Sequence, residues 1–470
     1  MTEKIHKLLS ESKAARWGAL AVVSFTMLCG YYLADVMSPL KGMLEETLKW
    51  NSADYGFFTG AYGWFNVFLF MLIFGGIILD KMGVRFTGVM SSAVMVIGAA
   101  IKYWAVSTHA LDGQVWHILW LFYAKAQVFV AAFGFAIFGV GVEVAGITVS
   151  KVIVKWFRGK EMALAMGMQM ATARIGTALA LGISLPFARY FGTVSAPILF
   201  CLILLCIGLI AFIVYTFMDK KLDESQAAHH LANNTIAEEE SFRMSDILAI
   251  IKNKAWWYIA ILCVLFYGAV FPFLKYAPDF MHQKFGVRES LAGAIPSLLP
   301  MGTILLTPFF GGVYDNKGKG ATIMIIGACL LIFVHAMFAI PMLNQWVVAV
   351  LLILVLGVGF SLVPSAMWPS VPKIIPERQL GTAYALIFWV QNIGLMGIPY
   401  LIGWVLEKYC ITGYIVTHVV GKIDTKVAKY DYTKPMLIFM SLGVLALVFA
   451  FLLKAEDRKK GYGLELPNIK

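Results

Sequence analysis

Two ionisable residues sit inside apolar segments. Glu143 interrupts Phe138-Gly-Val-Gly-Val-Glu143-Val-Ala-Gly146, and Arg174 interrupts Met170-Ala-Thr-Ala-Arg174-Ile-Gly176. A charge within a hydrocarbon layer is costly, so each marks a candidate functional group. A carboxylate holds an ammonium. A guanidinium holds a carboxylate as a bidentate fork, which lysine does less well. Together they suit a solute carrying both charges, although a plain ion pair tying two neighbouring helices is the competing reading. The glycines at 139, 141 and 146 let a helix or a ligand approach closely. Asp35, late in the first apolar segment, and Lys275, after Pro272 in the seventh, are further intramembrane charges. Asp35 reads as a substrate contact, a proton site or a rim charge. Lys275 reads as a cavity charge or as a side chain that snorkels outward, and snorkelling is also expected of Lys102 and Lys125.

Polar and aromatic side chains within the segments supply the remaining candidates for a cavity wall: Tyr32, Trp64, Asn66, Gln169, Tyr267, Trp368, Tyr384, Gln391 and Asn392, together with Tyr31 and Tyr62. Each is equally suited to packing between helices. Tyr384 and Gln391 are two turns apart and share one helix face. His335 is read as a packing residue, and the His229-His230 pair as filler in a polar stretch. There is no HExxH run, serine–histidine arrangement or paired-aspartate motif, so an enzyme is not expected and no cofactor is called for. The six cysteines form no CxxC pair, which argues against a zinc site or a disulfide framework.

The elements that must position these groups follow from composition. Hydrophobic residues make up 60% of the 470 residues and charged residues 14%, against about 25% charged in soluble proteins. Mean hydropathy is +0.78. A crossing needs about 20 apolar residues. Such segments fall at roughly 17–39, 54–79, 83–106, 125–153, 161–186 and 197–218, then 255–279, 289–313, 321–341, 345–370, 380–407 and 435–454. The fold class is therefore an all-α membrane protein of twelve transmembrane helices in two six-helix, pseudo-symmetric bundles. Residues 1–218 form the first bundle, 219–254 a cytosolic linker and 255–470 the second, with a small outer hairpin in 408–434 around Gly421-Lys422. Residues 111–125 read as an extension leading into the fourth segment. The first segment is read as retained in the mature protein. The net charge of +11 comes from basic loops. Their bias puts both termini in the cytosol by the positive-inside rule and leaves nucleic acid out.

The halves also repeat a turn. Gly76-Ile-Ile-Leu-Asp80-Lys-Met-Gly83-Val-Arg85 follows the second segment, and Gly311-Gly-Val-Tyr-Asp315-Asn-Lys-Gly318 follows the eighth, half a chain later. Duplicated bundles carry such repeats. A short turn of this kind can latch a gate, its aspartate pairing with a loop cation or a helix N-terminus. Gly76, Asp80, Arg85 and Asp315 are the gating candidates.

The chain resembles the lysosomal dipeptide transporter branch of the major facilitator superfamily. The resemblance rests on Tyr32 to Pro39, on Gly75-Gly76 with Asp80, on Gly141-Val-Glu143 and on Trp156-Phe-Arg-Gly159-Lys-Glu161. It continues through Ala173-Arg174-Ile175-Gly176, Phe271-Pro272-Phe273, Trp368-Pro369, Gln379-Leu-Gly-Thr-Ala-Tyr384 and Gln391-Asn392-Ile-Gly394-Leu395. It implies a dipeptide carrier working by alternating access, with Glu143 and Arg174 acting on the substrate. A proton-coupled symporter of a small organic anion, such as a sugar acid or carboxylate, is the alternative. A non-transporting membrane receptor is the alternative of another class. The expected partners are the small solute, the lipid bilayer and a proton as a second candidate passenger, with the chain acting as a monomer. Lys4 occupies the acid position of a dileucine sorting signal at Leu8-Leu9, so a prokaryotic inner membrane is favoured over a lysosomal one.

Overall fold

The computed structural model describes residues 11–118, 122–157, 161–233, 244–376, 379–417 and 425–467. The first half contains α1 (Lys13–Asp35), the short α2 (Lys41–Leu48), α3 (Ser52–Gly60), α4 (Trp64–Phe68), α5 (Met71–Ser107), α6 (Ala126–Phe157), α7 (Met162–Phe191) and α8 (Ser195–Asn233). The second contains α9 (Met244–Ile251), α10 (Lys254–Phe285), α11 (Glu289–Ala292), α12 (Ala294–Lys317), α13 (Gly320–Ala339), α14 (Trp346–Ile374), α15 (Leu380–Tyr409) and α16 (Thr433–Lys460).

Among the described residues, 11 helices are long and apolar enough to cross a membrane. The difference from twelve lies in α5, which has two limbs joined at Gly83 with φ 76° and ψ 175°. Only glycine adopts that backbone region at little cost. The first limb completes a crossing begun by α3 and α4, and the second limb is a crossing of its own. The shared crossing is broken. A 3₁₀ turn at Ala61–Gly63 separates α3 from α4, and Phe70, left-handed at φ 53°, separates α4 from α5. Irregular backbone at membrane depth is tolerated where protein buries it or where it lines a cavity.

Local signals explain the ends. Asn51 and Asp54 form a capping box at α3, and Asn253 caps α10 by accepting from the amides of Ala255 and Trp256. α8 runs well past residue 218, so the connection between the halves starts as helix. Buried Asp219 holds it there, accepting from Lys155 of α6 at 2.8 Å and from Tyr215 at 2.9 Å. Residues 111–125 are not an extension of α6. They carry an antiparallel hairpin, β1 (Val115–Ile118) with β2 (Phe122–Lys125). A second hairpin, β3 (Ile411–Thr417) with β4 (Thr425–Tyr430), follows α15, and Gly421-Lys422 lies outside the described residues.

Large apolar side chains point outward along the helices, such as Ile210, Phe217 and Leu305, as lipid-facing surfaces require. The two halves meet toward the face opposite Lys13 and Lys460, called the distal face below. There α3 lies on α15, and Ser52 N donates to Glu407 at 3.2 Å. α7 lies on α12, with Gly293 against the Leu181 carbonyl. At the terminal face, Asp80 pairs with Lys151 at 2.9 Å and Arg85 with Asp223 at 3.1 Å, each pair within the first half. A Cβ added at Gly76, Gly311 or Gly312 would meet open space. Among the described residues, the halves are therefore closed on each other distally and parted at the terminal face.

Candidate functional site

The broken crossing brings its own side chains to α6. Tyr62, in the 3₁₀ turn, donates to Glu143 Oε1 at 2.7 Å, and Asn392 of α15 lies within hydrogen-bonding reach of the same carboxylate. Asn66 donates to the Gly139 carbonyl at 3.4 Å and to Asn392 Oδ1 at 3.3 Å. Gly139 allows this approach, since a Cβ there would stand 2.2 Å from the Tyr62 carbonyl oxygen. Glu143 thus faces the seam between halves through neutral partners, and among the described residues no cation pairs with it.

Arg174 lies on α7 and remains partly accessible. Its guanidinium sits between two rings of the second half, 5.3 Å from the centre of Phe271 and 5.2 Å from that of Phe360. Ring faces attract a cation electrostatically, yet they leave its donors unoccupied. Among the described residues no carboxylate pairs with it, so Glu143 and Arg174 do not form the interhelical ion pair that was the competing reading. Tyr31 stands within electrostatic reach of Arg174, Glu143 and Asp35.

Behind Phe271 the second half supplies an aromatic wall. Trp368 Nε1 donates to Tyr267 Oη at 3.1 Å, and Tyr384 donates to the Trp368 carbonyl at 3.0 Å. Gln391 is buried and accepts from Cys263 Sγ at 3.6 Å. Three candidates lie elsewhere. Tyr32 is buried within the first half, its hydroxyl bonded to Ser184 at 3.3 Å and its ring against Phe200. Trp64 packs on Phe57 and Phe129. Gln169 is partly exposed on the first turns of α7.

Lys275 does not snorkel. Its Nζ crosses to the first half, donating to Asp35 Oδ1 at 2.5 Å and to the Ala34 carbonyl at 2.6 Å. Lys102 does not snorkel either and is fully buried. Lys125, by contrast, reaches the distal loop and pairs with Asp54 at 2.6 Å.

Further out, Lys41 is buried between Glu45 at 2.6 Å and Asp279 of α10 at 3.0 Å, with its Nζ 4.4 Å from the centre of the Tyr430 ring. Burial pushes the Tyr430 phenol above its ordinary value. It therefore stays protonated and donates to Glu407 at 3.1 Å. Tyr432 donates to Asp279. Beside this knot, under the second hairpin, lies a cavity of about 330 Å³ lined by Glu46, Arg189, His282, Glu289, Ile415 and Val427. It shares no residue with the surroundings of Glu143 and Arg174.

Of the gating candidates, Asp80 pairs with Lys151 and Arg85 with Asp223, both on the first half. Sequence reasoning passed over Phe271 and Phe360 as partners of Arg174, and Lys41 as a charge within the protein. It treated Tyr62 as one aromatic among many. The glycines at 60 and 63 were the signal for Tyr62, since they flank a turn in an apolar segment.

The comparisons agree with this architecture. The human lysosomal dipeptide transporter MFSD1 is 27% identical over 420 residues, covering 86% of this chain and 82% of that protein. The solved structure of a point mutant of the nucleoside transporter NupG superposes with a TM-score of 0.66 at 18% identity, covering 94% of this chain and 99% of that one. A D-xylose–proton symporter superposes with a TM-score of 0.66 at 14% identity, covering 93% and 97%. The family profile described as Major Facilitator Superfamily matches residues 20–399. With paired helical halves and a profile match across most of its length, this multi-pass membrane chain belongs to the Major Facilitator Superfamily of transporters.

Proposed function

We propose that the protein carries dipeptides, or similar small zwitterionic peptides, by alternating access. One observation carries the reading. Glu143 and Arg174 lie at the same seam without pairing with each other, and each keeps binding capacity free. A dipeptide presents an ammonium and a carboxylate several bonds apart. Glu143 takes the ammonium, and Arg174 takes the carboxylate as a fork. Tyr267, Trp368 and Tyr384 give side-chain room, while Asn66, Gln391 and Asn392 meet the peptide's own polar groups. The similarity to MFSD1 supports the same substrate class.

The halves close on each other distally and part at the terminal face, so the structure corresponds to one end of such a cycle. Asp80, Arg85 and their counterpart Asp315 act at the terminal face in the other. We place that face in the cytosol on the basic bias of its loops, and the membrane as a prokaryotic inner membrane, with the lysosomal membrane of the MFSD1 relatives as the alternative.

A second reading has one specific support. Because Glu143 contacts neutral partners, it would also suit a proton passenger, with Arg174 holding an organic anion. A thermal-shift screen of the purified protein against dipeptides, free amino acids, sugar acids and carboxylates separates the two. A ligand held only by the folded state raises its apparent stability by mass action, by about 2.7 kcal/mol at 100 times Kd. Stabilisation by several dipeptides, absent in Glu143→Gln, is expected. Stabilisation by an organic anion and by no dipeptide would replace the first reading with the second.

A further inference from the structure

Lys102 has no role in the site as described. It lies in the second limb of α5 and is fully buried. Its Nζ donates to the Leu33 carbonyl at 3.1 Å and stands 4.7 Å and 5.3 Å from the ring centres of Phe135 and Phe58. Among the described residues no carboxylate pairs with it. The carbonyl belongs to the last turn of α1, which ends at Asp35. Carbonyls there lack helical partners and carry the negative end of the helix dipole. The other cation on that turn is Lys275 of the second half, on the Ala34 carbonyl and the Asp35 carboxylate. Two ammonium groups, one rooted in each half, thus converge on three consecutive residues that offer a single carboxylate. Asp35 and Lys275 both lie within electrostatic reach of Lys102.

We propose that Lys102 is a positioning residue that takes over Asp35 when Lys275 withdraws with the second half, so that the first helix exchanges one lysine for another in each cycle. The inference rests on the alternating-access reading. Separation of the distal seam removes Lys275 from Asp35. A buried carboxylate stripped of its partner is heavily penalised. Lys102 is anchored in the same half as Asp35 and travels with it. Its present partners are one neutral carbonyl and two ring faces, and a carboxylate is a stronger acceptor than either. The arrangement therefore keeps Asp35 paired at both ends of the motion.

The test uses the full chain in lipid nanodiscs, with Cys206 and Cys329 replaced by serine. Spin labels go on Val115→Cys and Met342→Cys, both exposed, one in each half on the distal side. Pulsed dipolar distances then report the distal seam without substrate. Wild type is expected to show a short and a long population. Lys102→Met should deplete the long population at least tenfold and lower turnover in parallel, with dipeptide Kd changed less than threefold. Adding Asp35→Asn should restore the long population, and Lys102→Arg should retain it. A Lys102→Met variant with the wild-type ratio, or one that Asp35→Asn leaves unrescued, overturns the exchange. A wild type that shows one distance under every condition overturns alternating access itself, which separates the two failures. If Lys102→Met does not fold, Lys102→Gln, which keeps a donor for Leu33 without the charge, takes its place.

Discussion

Arg174→Ala is expected to bring dipeptide uptake in proteoliposomes to background while folded protein accumulates in the membrane as in wild type. The guanidinium makes no described ion pair, and Phe271 and Phe360 contact it by their faces. Loss of such ring contacts costs about 0.5–2 kcal/mol, which the fold tolerates. The substrate loses more. A hydrogen bond to a charged group contributes about 1.5–3 kcal/mol, so removing one weakens binding roughly 10- to 150-fold, and a fork supplies two. Arg174→Lys keeps the charge and loses the planar fork, so it should fall between the two. Size-exclusion profiles and uptake measured on the same preparation check both halves of the expectation. Normal uptake by Arg174→Ala would end the charge-clamp mechanism.

The second large effect is conformational. Lys41→Met leaves Glu45 and Asp279 buried without their shared cation. Removing one partner from a buried pair costs about 3–5 kcal/mol. Asp279 belongs to the second half, so the full loss falls on the distal-closed arrangement. Once the halves part, Glu45 is no longer enclosed against α10, and Asp279 keeps its hydrogen bond from Tyr432. The ratio of closed to open should move roughly 150- to 5,000-fold toward open by the same energy. The Val115–Met342 distance and the apparent melting temperature report it. An unchanged distance distribution would show that Lys41 does not hold the distal seam.

The crossings were readable because apolar runs of this length have few alternatives to a membrane helix, and Glu143 and Arg174 stood out because lipid does not tolerate stray charge. What surrounds them was not readable. Asp35 and Lys275 lie 240 residues apart, in different halves. Their pairing depends on how the halves dock, which no local pattern encodes. Lys102 and Lys275 look like snorkelling residues because helical periodicity does not say which side faces another helix. The turn at Tyr62 hides inside a run whose hydropathy reads as one helix. The pairing of β1 with β2 was missed because short strands leave weak signals beside long apolar segments, whereas the 408–434 stretch is rich enough in Val, Ile, Thr and Tyr to be visible.

A site that holds one carboxylate and one guanidinium also has an electrical consequence. In the proposed clamp, Glu143 and Arg174 cancel each other's charge and a zwitterionic peptide adds none, so loading leaves the net charge of that clamp unchanged. A membrane potential acts on moved charge at about 2.3 kcal/mol per elementary charge per 100 mV. A neutral dipeptide then adds no charge to the cycle, so its final accumulation should be the same in proteoliposomes held at opposite potentials, while that of a dipeptide with a lysine or aspartate side chain should differ. The cell's voltage would then bias which peptides accumulate.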